Sequence, residues 1–322
     1  MIHSTVQAAP WLSVIMPVHY GEKWIQSSLQ SIVSENPIGV EVIVIDSSLP
    51  ATCLDIAERV GGPWNFALYS RPDLLTWQDK TNFGATVARA SHLCWLHQDD
   101  LWLPGRLAAV RAWIAKAPDR ALHLAPCAII DHSGRRLGIW RCPFASPGSY
   151  GTAQVLRRFL VQNFVGVPAP VFRTDACQRV GGLDGELWYT ADWDLWLKLA
   201  SVSPVEYHDE LTAAFRIHDG SLTMTGRKNI EDFEKQMRVV FERHLPCLGD
   251  QSGEIERLGR VSIAINVALA SASMGDRRRL IPAFASAMKL GPVLLARYLY
   301  DSRLRERLMP RVYAKLRGTL RQ

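Results

Sequence analysis

The sequence contains no uninterrupted apolar run near the roughly 20 residues that a helix needs to cross a bilayer. Its opening stretch, Met1 to Pro10, lacks the basic start and long apolar segment of a signal peptide, so export is not expected and a cytoplasmic location is. No two of the six cysteines (Cys53, Cys94, Cys127, Cys142, Cys177 and Cys247) form a CxxC pair. That scatter argues against a zinc site or a disulfide framework and predicts small buried hydrophobes in a reducing compartment. Low-complexity tracts are missing, and a single helical-hairpin unit in 255–290, turning at Gly275-Asp276, is too little to make a repeat. Acidic residues are scarce in one place: residues 277–322 hold 12 Lys+Arg against 2 acids, leaving 25 basic against 29 acidic in the remainder. A near-neutral body with a basic tail points to a local anionic partner. What is present is 322 residues, 48% hydrophobic and 21% charged, with a mean hydropathy of −0.01. Those fractions exclude disordered and fibrous chains and predict one large domain, alone or with an appendage.

The first half alternates strand-like and helix-like segments. Ser13-Val14-Ile15-Met16-Pro17-Val18 reads as a buried strand, and Trp24, Ile25, Ser28, Leu29 and Ile32 follow at helical spacing. Val40 to Ile45 is a β-branched strand ending at Asp46, Leu54 to Val60 a helix, and Phe66 to Tyr69 a third strand. Ala85 to Ala90 reads as a helix with Lys80 and Asn82 ahead of it, and Leu93 to Leu96 is a fourth strand running into His97-Gln98-Asp99-Asp100. This order predicts an α/β fold, a mostly parallel sheet with helices on both faces. Ligands of such sheets sit at the carboxyl ends of the strands, where His19, Asp46 and the Asp99-Asp100 pair cluster. Leu156, Phe159, Leu160 and Phe164 fit a further helix, as does Ala191 to Leu199. From Asn229 onward the pattern is helical, with Pro246–Gly253 as a linker.

Four pieces in this order resemble family 2 glycosyltransferases of the GT-A fold, over roughly residues 11–225. They are the Ser13–Val18 strand, Glu41 to Ser48, Lys80-Thr81-Asn82-Phe83-Gly84 with Leu96 to Asp100, and a late group. The late group comprises Val180 to Asp184, Ala191-Asp192-Trp193-Asp194-Leu195-Trp196 and Arg216-Ile217-His218-Asp219-Gly220-Ser221. The resemblance implies an inverting transferase domain over 1–228, a helical C-terminal region over 229–322, and a nucleotide-sugar donor, UDP- or dTDP-linked. It also implies a divalent Mg²⁺ or Mn²⁺, because a diphosphate leaving group develops charge that a cation neutralises. By resemblance Asp99 contacts the metal, with His97 standing where the family has an acid, and Asp100 adjoins it. Asp46 receives the base and ribose beside Pro17, Val18 and His19, with Ser47 and Ser48 replacing the more usual Asp and Gly. Lys80 and Asn82 fall near the diphosphate, and His218 near the pyrophosphate and metal.

Asp192 matches the family's general base, although its preceding Glu is Ala191 here. A carboxylate is what an inverting transfer needs to take the acceptor proton. Asp194 is a rival, but on a helix the two point about 200° apart, so only one faces the site. Trp188, Tyr189, Trp193 and Trp196 crowd around this position; the first three are candidates for an acceptor platform, and Trp196 reads as core. Each feature also has a plainer explanation. Asp99-Asp100 would cap a helix starting at Leu101, Asp46 would close an Asx turn, and both 190s acids would serve a helix dipole. In the tail, Leu304, Leu308, Val312, Leu316 and Leu320 form a stripe flanked by Arg303, Arg307, Arg311 and Lys315, with Pro310 as a break. That is either an interfacial helix on the cytoplasmic leaflet, suited to a lipid-linked glycan acceptor, or a helix packed on the body. No nucleic-acid motif is present. Two rival functions stay open: a non-catalytic nucleotide-sugar or glycan-binding domain, and a nucleotidyltransferase, which would want a Gly-rich loop where His19-Tyr20-Gly21-Glu22 stands.

Overall fold

The computed structural model describes residues 9–220 and 229–316; Ser221, Leu320 and the side chain of Leu316 lie outside the described residues. Its first half is the predicted alternation: β1 (Leu12–Val18), α1 (Ile25–Val33), β2 (Val40–Asp46), α2 (Thr52–Gly61), β3 (Asn65–Ser70), α3 (Trp77–Val87) and β4 (His92–Trp95). Every residue of β1 and β2 is buried, which is why both are mostly apolar, with the buried Ser13 and Glu41 side chains hydrogen-bonded to each other. Then follow β5 (Leu101–Trp102), α4 (Arg106–Lys116), β6 (Leu122–Leu124), β7 (Cys127–Ile130), β8 (Arg136–Trp140), β9 (Gly148–Tyr150) and α5 (Thr152–Phe159). The domain closes with β10 (Val171–Arg173), α6 (Thr174–Arg179), α7 (Ala191–Val202), β11 (Val205–Tyr207) and β12 (Ala213–Arg216). The large sheet has eight strands in the order β3-β2-β1-β4-β10-β6-β11-β9, and a four-stranded sheet runs β5-β12-β7-β8. Strands β3, β2, β1 and β4 are parallel, and Val18, Asp46 and Ser70 lie in register at their carboxyl ends. The expected α/β architecture is therefore present, with β10 inserted antiparallel between β4 and β6.

The helices after residue 229 are α8 (Ile230–His244), a 3-10 turn (Leu245–Gln251), α9 (Ser252–Ser273), α10 (Leu280–Met288), α11 (Gly291–Ser302) and α12 (Leu304–Leu316). Phe233, Met237, Phe241, Leu258 and Tyr298 from these helices join one hydrophobic cluster with Trp95, Phe172 and Trp196 from the sheet layer. Trp196 packs 5.0 Å from Trp95 and 5.5 Å from Phe172, as its core reading requires. Burying a side chain of this kind contributes about 1.5–3 kcal/mol, so the C-terminal helices are held by the same core as the sheet.

Several local expectations are corrected. Lys80 and Asn82 do not precede a helix; they lie within α3, which begins at Trp77 because the Thr76 side chain caps it by accepting from the Asp79 amide. Asp99 and Asp100 cap no helix, because Leu101-Trp102 is a short strand paired to β12. The Pro246–Gly253 linker is largely a 3-10 turn. Pro310 does not split the tail: α12 continues through it, and the break falls at Arg303, which adopts a left-handed φ of 48°. The Pro310 ring packs over Gly138, where an added Cβ would lie 2.9 Å from its Cγ. Five cysteines are buried, but Cys247 is exposed. Among the described residues, no single helix is long and apolar enough to cross a membrane.

Candidate active site

The parallel strand ends are stitched into one rim. The Gln98 side chain accepts from the His19 amide at 2.8 Å and donates to the His19 carbonyl at 3.2 Å, clamping the loop after β1 to the loop after β4. Gly21 makes room for this contact, since a Cβ there would fall 2.6 Å from Gln98 Oε1. Ser48 donates to Asp46 Oδ1 through its amide (2.8 Å) and hydroxyl (2.6 Å), so Asp46 does close an Asx turn. Its other oxygen, Oδ2, is buried without a protein hydrogen-bond partner. Ser47 Oγ sits between His19 Nδ1 (3.1 Å) and Lys80 Nζ (2.8 Å). Burial pushes the Lys80 ammonium below its usual range, with Asp46 and Asp79 opposing that shift. Lys80 is brought there by α3, which approaches β1 closely at Gly84; a Cβ on Gly84 would lie 2.6 Å from Ile15 Cγ2. Asn82 points elsewhere. Its amide donates to the Leu183 carbonyl (2.8 Å) and accepts from the Leu183 amide (2.9 Å), bracing the Gly181-Gly182 turn. Both glycines have positive φ. Asn82 is thus a buttress, away from the cavity that Lys80 faces.

Potential ligand atoms of His97, Asp99 and Asp100 lie within 4.8 Å of one another. His97 Nε2 and Asp100 Oδ2 are buried without protein hydrogen-bond partners, as groups reserved for another ligand would be. Burial, then the neighbouring Asp99 charge, holds the Asp100 carboxyl well above its usual range. These donors fit a divalent cation, and the imidazole suits Mn²⁺ better than Mg²⁺. Such an ion, when bound, supplies charge neutralisation at a leaving diphosphate. His218 Nε2 lies 2.8 Å from Asp99 Oδ2, so it orients that carboxylate. Arg216 fixes the acidic loop from behind: its amide donates to Asp100 Oδ1 (2.9 Å) and its Nε to the Asp99 carbonyl (2.7 Å). Its guanidinium also stacks on Trp24 at 4.5 Å.

A cavity of about 550 Å³ opens from this rim, within the usual size of a small-ligand site. Pro17, Val18, His19, Lys80, His97 and Asp99 line it together with His218, Asp192, Trp188, Tyr189 and Trp193. Asp46, Asn82 and Asp100 do not reach its surface. Asp192, in the first turn of α7, accepts from Asn163 Nδ2 at 2.9 Å. Burial raises its pKa to about 6, and the Asn163 bond tempers that rise. Asp194 faces the other way. It meets Lys198 at 2.7 Å, His244 at 2.8 Å and Arg243 at 2.9 Å. Burial would raise its pKa too, but the bonds from His244 and Lys198 hold it at about 2.

The three aromatic candidates are tied down to different degrees. Trp193 is buried and its indole donates to the Phe159 carbonyl at 2.9 Å. The Trp188 indole donates to Asp232, and the Tyr189 amide donates to Gln236 at 3.0 Å, so α8 fixes both half-buried rings against the cavity. A further wall had no signal in the sequence reading. Gln162 donates to the Asn163 carbonyl (3.1 Å), Asn266 donates to Gln162 Oε1 (2.7 Å), and Arg307 donates to Asn266 Oδ1 (2.5 Å). All of these, with Arg311, line the cavity. The chain of bonds joins the Asp192 carboxylate to α12 across 115 residues of sequence. Arg307 and Arg311, expected as flanking charges of a surface stripe, are respectively buried and half-buried here.

Similarity to known proteins agrees with this arrangement. The family model "Glycosyl transferase family 2" matches residues 13–176, just over half the chain, and the protein belongs to that family. An uncharacterised glycosyltransferase of Rickettsia typhi is 22% identical over 236 residues, covering 70% of each protein. Residues 1–349 of S. aureus TarS, solved in complex with UDP, superpose with a TM-score of 0.62 at 16% identity, covering 94% of this chain and 91% of that one. The chain spans 55% of the longer TarS structure. The mannosyltransferase PcManGT from Pyrobaculum calidifontis, in complex with GDP-Man and Mn²⁺, superposes with a TM-score of 0.56 at 14% identity, covering 92% and 87%. The fold is GT-A, followed by helices, and the activity class is glycosyl transfer.

Proposed function

We propose that the protein is an inverting, metal-dependent glycosyltransferase that uses a UDP- or dTDP-sugar and glycosylates a glycan or lipid-linked glycan in surface polysaccharide assembly. The observation that carries this reading is one cavity lined by both the Asp99–His218 pair and a carboxylate, Asp192, whose pKa of about 6 suits a base at neutral pH. The acceptor hydroxyl attacks the anomeric carbon and gives its proton to Asp192. The bond from that carbon to the diphosphate oxygen breaks, and its electron pair leaves with the diphosphate. Lys80 offsets part of that negative charge. Calorimetry with UDP, GDP, dTDP and CMP, each with Mn²⁺, Mg²⁺ or chelator, tests the donor side. Binding of one nucleotide that requires metal and is lost in Asp99→Ala is the expected result; no binding under any condition sinks the reading. Nucleotide binding with no transfer by the wild type against any acceptor class would favour the non-catalytic alternative.

A cytoplasmic location at the inner face of the membrane belongs to the same proposal, with a different contact from the expected tail stripe. Ile281 (81% exposed), Met288 (68%) and Val293 (79%) project from α10 and α11, next to Arg277, Arg278 and Lys289. These two helices meet at 118°, a bend that suits lying along a surface. A second copy would set one basic segment against another, whereas an anionic leaflet complements it. Flotation with vesicles containing anionic lipid should carry the protein upward, and Ile281→Glu with Val293→Glu should abolish this. Flotation equal on neutral vesicles, or a dimer that hides this face, would refute it.

A further inference from the structure

The cavity wall beyond Asp192 has a chemistry that donor binding does not call on. Gln162, Asn266 and Arg307 are each at least nine-tenths buried, yet all three line the cavity. Arg307 and Arg311 stand one helical turn apart on α12, and Arg311 Nη1 donates to the Arg307 backbone carbonyl at 2.6 Å, which holds the Arg311 side chain along the helix. A neutral sugar could be held by the Gln162 and Asn266 amides alone; two guanidinium groups on the same wall are matched to an oxyanion. The wall is also on the base's side. It is hydrogen-bonded through Asn266, Gln162 and Asn163 to Asp192, while the rim with Asp99, Lys80 and His218 serves the leaving diphosphate.

We infer that Gln162, Asn266, Arg307 and Arg311 form an acceptor subsite for an anionic group, a phosphate or a sugar carboxylate, carried near the hydroxyl that Asp192 deprotonates. This rests on the proposed transferase reading and narrows its acceptor class. The subsite would also explain why α12 is packed into the domain at Gly138 and not left as a tail.

The test is a calorimetric titration of the full chain, loaded with its nucleotide diphosphate and metal, with inorganic phosphate, glucuronate and, as neutral control, glucose. Saturable binding of at least one anion, ten times tighter or more than glucose, is expected. Preference for phosphate would identify a phosphate-linked acceptor, and preference for glucuronate an acidic glycan. Arg311→Gln should weaken the anion at least tenfold while nucleotide affinity stays within twofold, and Arg307→Gln should do the same. If Arg307→Gln fails to fold, because it breaks the bond to Asn266, Arg311→Gln alone decides. No anion preference overturns the inference, as does a tenfold loss of nucleotide affinity in Arg311→Gln, which would assign the arginines to the donor. A chain that binds no nucleotide overturns the proposed function instead, and the same phosphate titration on the unloaded protein still tests the arginine wall.

Discussion

The two faces of the first turn of α7 treat the same functional group in opposite ways. On the cavity face, Asp192 has one amide for company and is pushed up to about 6. On the face toward α8, two residues later, Asp194 is met by Lys198, Arg243 and His244 and is held at about 2. Burial acts on both carboxyls; at Asp192 the Asn163 bond offsets it only in part, whereas at Asp194 the partners outweigh it. The contrast separates a group kept ready to take a proton from a group kept ionised to fasten one helix to another.

Asp192→Asn should break the comparison most severely. We expect a fall in kcat of about 1,000-fold, within the usual range for loss of a general base, with nucleotide affinity within twofold. Measured transfer at wild-type rates would remove Asp192 from the mechanism. Asp99→Ala should cost at least about tenfold, or 1.4 kcal/mol, in metal-dependent nucleotide affinity, read by calorimetry. Asp194→Asn should leave kcat within a few-fold and destabilise the fold by about 2–4 kcal/mol at pH 7, because Lys198 and Arg243 lose their buried counter-charge and His244 its partner. Denaturant melts would show that deficit shrinking as pH falls toward 2, since a carboxyl with a depressed folded pKa stabilises only while ionised. Stability should move the other way at Asp192. Its folded pKa is raised, so its contribution is complete below the unfolded value near 3.9 and is lost as pH rises through about 6. Asp192→Asn should therefore melt higher than wild type at pH 8, by up to about 3 kcal/mol, and match it below pH 4. The smallest effect sharpens the contrast: Asn163→Leu removes the donor that favours the ionised form. The acid limb of kcat/KM, expected near 6 in the wild type, should shift upward by about half to one pH unit. An unchanged limb would show that Asn163 does not tune the base.

The strand ends were legible because a parallel sheet writes each buried strand as an apolar run and places the next polar residue on the rim. His19, Asp46 and Asp99 follow from that pattern. The start of α3 was legible in principle and was missed: Thr76 and Asp79 are spaced as an N-cap and its third residue, immediately before the Lys80-to-Gly84 motif. Asn82 carried no sign of its role, since a motif match cannot distinguish a side chain facing a ligand from one bonded to Leu183. The Gln162–Asn266–Arg307 wall was beyond reading. Its members lie 104 and 41 positions apart, carry no spacing rule, and meet only because α9 approaches the Leu160 carbonyl at Gly259 and α12 packs on β8. Pro310 misled for a related reason: its ring is accommodated by Gly138, a partner 172 residues away.

That seat at Gly138 has a practical corollary. Proteolytic clipping near Arg303 would cut the chain at the start of α12, which carries Arg307 and Arg311, while the residues of the rim all lie before the cut. Such a nicked preparation should still bind nucleotide and look folded by spectroscopy, yet handle acceptors wrongly. Intact mass is therefore the quality control to apply before any acceptor screen is believed.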